Sequence, residues 1–158
     1  QLSVRVIFKH FADLTMLRQA AIERIPTLSD TFFSHGPRPD VSAEEGLSRF
    51  IERQTAMFEV IAPFRRAASM VEYNDSFVAA IMRQVRDAAV KDLADAIGPD
   101  LKRLPAGQRR ELLMILHTLC AWPSWEALRS HHGLALATAQ RIMIRGACAI
   151  LRDAFKSR

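Results

Sequence analysis

The first eleven residues combine small, basic and aromatic side chains on a segment that is otherwise apolar. If Ser3–Phe11 forms a helix, Ile7 and Phe11 share one face, because residues four apart are neighbours on a helix. The remaining side chains then project away from that face. A short helix of this kind suits a DNA major groove, where its first residues reach base edges and its cations hold phosphates. The residues predicted to contact DNA are Ser3, Arg5, Phe8, Lys9 and His10.

A helix of about two turns is not stable alone in water, so it needs a helical partner. The next segment offers one, since Asp13 is a good N-cap and Pro26 ends the apolar pattern. The apolar positions that share one face of this second helix are Met16, Leu17, Ala20, Ala21 and Ile25. The alternative interpretation is a terminal amphipathic hairpin that only covers the core.

The segment "LSVRVIFKHFADLTML" resembles the end of the helix-turn-helix domain of TetR-family transcriptional regulators. The matching positions are Leu2, Ser3, Arg5, Phe8, His10, Phe11, Asp13 and Leu17. The later segment "AWPSWEALRSHHGLALATAQRIM" is similar to the stretch between the last two helices of many members. The resemblance implies a recognition helix at about residues 3–9, a linker helix at about 13–25, and a ligand-binding and dimerisation domain over 26–158.

Two helices precede the recognition helix in that family, and we expect them to lie upstream of Gln1. Val6 and Leu14 depart from the family pattern, which commonly has Thr and Lys at these phosphate-contacting positions. Each lost phosphate contact removes part of the salt-dependent affinity for DNA. A helical module with weakened or lost DNA binding is therefore the alternative to a DNA-binding regulator.

The charge of the chain is unevenly distributed. Residues 101–158 have ten basic and three acidic side chains, whereas residues 26–100 have eight and twelve. A basic surface favours polyanionic partners, although a solvated helix face gives the same composition. No apolar run is long enough to span a bilayer, so no membrane partner is expected. Cys120 and Cys148 lack metal-ligand spacing and are predicted to be buried free thiols, as in a reducing cytoplasm.

Helical spacing of apolar residues recurs along the chain, and the predicted fold class is all-α and TetR-like. Ser42 and Glu45 form a capping box before a helix that Pro63 should kink or restart. A second helix is capped by Asn74 or Asp75 and runs to Ile97. The elements predicted after it are a helix at 108–121, a short helix from Pro123 closed by Gly133, and a final helix at about 136–155.

The resemblance implies an effector cavity among these helices, and large deformable side chains could line it. His117 is the polar candidate in an otherwise apolar helix; the alternative is a packed core with a satisfied histidine. A small apolar or aromatic effector would fit such a lining. The predicted ligand-binding residues are Met57, Phe58, Ile61, Phe64, Phe77, Ile81, Met82, Leu113, Leu116, His117, Cys120 and Trp122.

The last helix repeats Leu136, Met143 and Ile150 every seven residues, with small residues between them. This spacing is typical of a helix-bundle seam. The resemblance implies that this helix and the helix at 108–121 pair with their copies across a two-fold axis; a core helix within one chain is the alternative. The predicted homodimer residues are Leu112, Ile115, Leu119, Leu136, Ala139, Met143, Gly146, Ala147, Ile150 and Ala154.

No sequence motif for catalysis is found: the chain has no phosphate-binding glycine loop and no nucleophile elbow. We therefore expect no enzyme activity, no cofactor and no metal. Residues 123–145 superficially resemble a second helix-turn-helix, but the second helix is too apolar to be an exposed reading head. His131 and His132 are adjacent, so their side chains point apart on a helix and are not expected to bind one metal ion together. The predicted function is a ligand-responsive repressor that a small effector releases from its DNA operator.

Overall fold

The computed structural model describes residues 41–156, and each regular element in that range is helical. The elements are α1 (Ala43–Val71), α2 (Ser76–Ile97), a 3-10 helix (Gly98–Arg103), α3 (Ala106–Cys120), α4 (Trp122–Glu126), a π-helical turn (Ala127–His131) and α5 (Leu136–Lys156). The predicted all-α class is confirmed for these residues. The recognition helix, the linker helix and the five predicted DNA contacts of residues 1–25 lie outside the described residues. Within residues 41–156, no helix is both long and apolar enough to cross a bilayer.

The helix ends follow the predicted caps. The Glu45 N–H donates to the Ser42 hydroxyl at 3.2 Å, which starts α1. The carboxylate of Asp75 accepts hydrogen bonds from the N–H groups of Phe77 and Val78 at 3.1 Å each. Helix α2 ends at Gly98, whose φ of 72° lies in the left-handed region that glycine tolerates best.

Helix α1 runs through Pro63 as far as Val71, so the predicted restart at this proline is wrong. Proline cannot donate to the carbonyl four residues before it, which here belongs to Glu59. Both Pro63 and Glu59 are exposed, so water can satisfy that carbonyl. Beyond the proline, the Arg66 guanidinium binds the carboxylate of Glu126 through two hydrogen bonds, at 2.8 and 3.2 Å, and so connects α1 to α4.

Four helices form a closed ring of contacts. Helix α1 packs against α2 and α5, and α3 packs against the same two helices. The core between them is apolar, and its largest fully buried side chains include Phe50, Leu47, Ile51, Leu93, Leu116, Met143 and Leu151. Cys120 and Cys148 are buried free thiols, as predicted. Burial raises the pKa of the Cys120 thiol to about 12.

Two buried polar side chains of α1 connect it to its neighbours. The Gln54 side-chain amide donates to the carbonyl oxygen of Cys120 at 3.2 Å, at the end of α3. The amide of Gln140, on α5, donates to the Thr55 hydroxyl at 2.8 Å. Because a buried polar group costs free energy unless it is hydrogen-bonded, these contacts favour one alignment of α1 relative to α3 and α5.

An aromatic cluster holds α4 and the π-helical turn against α1. The rings of Phe58 and Trp122 meet edge to face, with centroids 5.5 Å apart. Trp125 is fully buried next to Phe58, and the Arg129 guanidinium lies 5.8 Å from the centroid of its ring. Arg129 also binds both carboxylate oxygens of Glu59, at 2.8 and 2.9 Å. The predicted short helix around Trp125 therefore exists, but its second half is a π-helical turn.

The backbones of α1 and α2 approach closely at Gly46. A Cβ atom there would overlap the carbonyl oxygen of Ala96 and lie 3.0 Å from its carbonyl carbon. Gly46→Ala should therefore lower the free energy of unfolding by about 1–3 kcal/mol, because the two backbones must separate. Chemical denaturation measures this effect.

Gly107 provides the matched control, since nothing lies within 4 Å of a Cβ atom at this position of α3. Gly107→Ala should raise the free energy of unfolding by up to about 1 kcal/mol through helix propensity. Equal effects of the two substitutions would contradict the close approach at Gly46.

Candidate functional site

A groove of about 450 Å³ lies along α2 and α3, within the size range of small-molecule sites. Val90 comes from α2, and the other lining residues come from α3. The lining is mostly apolar, with three basic side chains. The lining residues are Val90, Ala106, Arg109, Arg110, Leu113, Met114 and His117.

The helical period of α3 explains how these residues meet. Positions 106, 109, 113 and 117 are three or four residues apart, and so are 106, 110, 114 and 117, so the six side chains form one stripe along the helix. The neighbouring stripe of Leu112, Leu116 and Cys120 is buried in the core. Core packing therefore fixes the rotation of α3 about its own axis. In this orientation the stripe that lines the groove faces α2.

The two ends of the groove differ in charge. Arg109 is half-buried and Arg110 is exposed, and neither forms an ion pair with a carboxylate of residues 41–156. His117 lies two helical turns further along α3, about 12 Å away at 1.5 Å per residue. Burial, together with the nearby charge of Arg86, lowers the pKa of His117. The groove thus has two permanent cations at one end and a half-buried histidine, predominantly neutral at pH 7, at the other.

Arg86 belongs to a small ion-pair network on the α2 side. Its guanidinium lies 2.5 Å from one oxygen of Glu72, while Arg65 lies 3.7 Å from the other oxygen. Burial lowers the pKa of Arg65, and the charge of Arg86 lowers it further, against the opposing effect of Glu72. One carboxylate thus serves two guanidinium groups, which leaves this part of the surface positive.

The structure distributes the predicted ligand-binding residues over several environments. Phe58 and Trp122 are in contact, and Met57, Leu116 and Cys120 are buried in the core. Phe64 is 76% exposed, and Phe77 is also exposed. The remaining members are half-buried, and two of them line the groove. These half-buried residues are Ile61, Ile81, Met82, Leu113 and His117, of which the last two are in the groove.

The predicted dimer residues also divide into two groups. Ala139, Met143 and Ala147 are buried within this chain, where α5 packs against α1 and α3. Of the residues that repeat every seven positions on α5, only Met143 is buried within this chain, whereas Leu136 and Ile150 keep some exposure. Leu112 of α3 is buried as well. The members that keep some exposure are Ile115, Leu119, Leu136, Gly146, Ile150 and Ala154.

A surface of apolar and small residues remains where α3 meets α5, and we call it the α3–α5 face. A Cβ atom at Gly146 would lie 3.4 Å from a methyl group of Leu119, so these residues pack together. Ile115 is four residues from Leu119, and Ile142 is four residues from Gly146, so each isoleucine adjoins this contact. Ile115 is 43% exposed and Ile142 is 44% exposed. The face consists of Ile115, Leu119, Ile142, Gly146 and Ile150.

Sequence reasoning missed five residues of the groove and one of the α3–α5 face. Arg109 and Arg110 precede Leu113 and Met114 by four residues each, so the sequence already places two cations and two apolar side chains on one stripe. That pattern could have indicated the groove. The contribution of Val90 depends on how α2 packs and has no comparable signal. No group of three or more metal-ligating side chains lies together in the described part of the chain.

His117 should make the stability of the fold depend on pH. Its folded pKa is below the usual value of about 6.5, so the unfolded chain binds a proton more readily than the folded chain. This contribution to stability is present above pH 6.5 and is lost as the pH falls through the folded pKa. Between pH 7.5 and 5.5, the free energy of unfolding should therefore fall more for the wild type than for His117→Gln. Denaturation curves that change in parallel for the two proteins would contradict this.

Comparison with known proteins does not assign this chain to a family. No protein-family model, no curated protein and no solved structure matches it. The groove and the α3–α5 face are therefore interpreted from their own geometry, and the resemblance of residues 2–17 to a helix-turn-helix remains a prediction.

Proposed function

We propose that the chain belongs to a ligand-responsive, DNA-binding transcriptional regulator of the TetR type that acts as a homodimeric repressor. The α3–α5 face is the observation that carries this proposal, since it gives a helical body an apolar surface on two adjacent helices. Ile115 and Ile142 are exposed there, next to the contact of Gly146 with Leu119 of the same chain. Residues 2–17 supply the DNA-reading part of the hypothesis.

A second copy of the chain is the partner that this face suits. A two-fold axis through it would bring α3 and α5 of both copies together as four helices, each burying apolar side chains that one copy exposes. The same axis would pair the two DNA-reading segments. Two such segments match half-sites about one helical turn apart on a palindromic operator.

The regulatory step of the proposal is a population shift. A small effector binds the helical domain and favours a dimer geometry in which the two recognition helices no longer fit successive major grooves. The effector is expected to be apolar or aromatic, in keeping with the side chains of α1, α2 and α3. Binding of the effector then lowers the affinity for the operator.

A second candidate is a helical ligand-binding or interaction module that has lost DNA binding. The apolar residues Val6 and Leu14 favour it, because they stand at two positions expected to contact phosphates. Salt dependence separates the two candidates, since affinity that depends on phosphate contacts falls steeply with rising salt. DNA binding that is absent, or insensitive to salt, would favour the second candidate.

The DNA-binding part of the proposal is tested with the full-length protein and its own upstream DNA. Arg5→Ala combined with Lys9→Ala should abolish the mobility shift while leaving the homodimer intact, because it removes two cations from the predicted reading head. Arg141→Ala combined with Arg145→Ala is the control, since both arginines are exposed on α5. An unchanged shift, or loss of the dimer, in the Arg5 and Lys9 double variant would contradict the proposal.

The dimer is tested separately by analytical ultracentrifugation of the wild type and two charge-insertion variants. Ile142→Glu should convert the dimer into a monomer, because a carboxylate would be buried without a partner in the interface. Val60→Glu should remain dimeric, since Val60 is equally apolar and 55% exposed but lies on α1. A monomeric wild type, or a dimeric Ile142→Glu variant, would rule out the α3–α5 face as the interface.

A further inference from the structure

The groove between α2 and α3 separates charge from apolar surface along its length. Arg109 and Arg110 stand at the end formed by the first turns of α3. Val90, Leu113 and Met114 make its apolar middle, and Met114 is 60% exposed. A ligand that matches both the arginine end and the apolar middle of the groove has an anionic head and an apolar body.

The charges around the groove favour an anion over a cation or a neutral ligand. Neither Arg109 nor Arg110 has a carboxylate partner among residues 41–156, so both guanidinium groups can bind a ligand without first breaking an ion pair. Asp87, three residues before Val90, is exposed to solvent. The lining of the groove thus includes two guanidinium groups and no carboxylate.

The far end of the groove suits the tail of such a ligand. His117 is half-buried there, and burial with the charge of Arg86 lowers its pKa, so the ring is predominantly neutral at neutral pH. A neutral ring can contact an apolar chain without desolvating a charge. The two helical turns between Arg109 and His117 leave room for a medium-length chain.

We propose that this groove binds an amphipathic carboxylate, with its head group on Arg109 and Arg110 and its apolar chain along Val90, Leu113 and Met114. Both arginines line the groove, and a guanidinium group binds a carboxylate through charge-assisted hydrogen bonds in a geometry that matches its two oxygens. Burial of the ligand's apolar chain against Val90, Leu113 and Met114 supplies the rest of the affinity. Such a ligand adds an anionic head to the apolar effector of the proposed function, and only its effect on DNA binding rests on that function.

Decanoate is the probe, and isothermal titration calorimetry on the chain without DNA measures its binding. Decanol is the matched neutral ligand and should bind at least tenfold more weakly, because it lacks the anionic head. Arg109→Ala combined with Arg110→Ala should weaken decanoate binding at least tenfold, whereas Arg141→Ala combined with Arg145→Ala should leave it unchanged. Circular dichroism and thermal unfolding check that each variant folds.

Met114→Glu tests the apolar middle of the groove. The side chain is exposed, so the substitution should leave the fold intact while placing a carboxylate in the path of the ligand chain. Decanoate binding should fall at least tenfold in this variant. The proposal is overturned if decanoate does not bind the wild type, if decanol binds equally well, or if the Arg109 and Arg110 double variant binds like its control.

Decanoate binding and DNA binding are measured independently, so the groove and the regulator proposal are tested separately. If decanoate binds as described and the full-length protein does not bind DNA, the groove inference stands and the regulator proposal fails. If the protein binds DNA but not decanoate, the regulator proposal stands and the groove inference fails. If both bind, decanoate should lower the DNA affinity of the wild type but not that of the Arg109 and Arg110 double variant.

Discussion

Burial of the inner face of α1 is the interaction on which the rest of residues 41–156 depends. Leu47, Phe50 and Ile51 are almost fully removed from solvent, and α1 contacts α2, α4 and α5 through this face. Gln54 and Thr55 add hydrogen bonds from the same helix to the end of α3 and to α5. Apolar burial supplies most of the driving force, while the buried hydrogen bonds select one alignment of the helices.

The two candidate functional surfaces follow from that alignment. Once Leu112, Leu116 and Cys120 point into the core, α3 has one flank beside α2 and another beside α5. The flank beside α2 has the two arginines and forms the groove. The flank beside α5 has Ile115 and Leu119 and forms half of the α3–α5 face. A rotation of α3 by one residue would destroy both surfaces, so packing and proposed function depend on the same residues.

Local signals in the sequence predicted much of the fold. The caps at Ser42 and Asp75 and the stop at Gly98 depend on one or two residues each, so they could be identified without tertiary information. The sequence left a kink and a restart open at Pro63, because the cost of a proline within a helix depends on how its surroundings satisfy the freed carbonyl. Only the packed structure shows that the helix continues. The sevenfold spacing of α5 could not distinguish an interface from a core, since both bury the same stripe. The groove was missed because it requires Val90 to lie opposite α3.

We propose that two copies of this chain, joined through the α3–α5 face, read a symmetric DNA site. A nuclease footprint of the full-length protein on its own upstream DNA tests this most directly. We expect protection of a palindromic site whose half-sites are about one helical turn apart, and no protection by the Ile142→Glu variant, which should be monomeric. An asymmetric single site, equal protection by that variant, or no protection at all would contradict it.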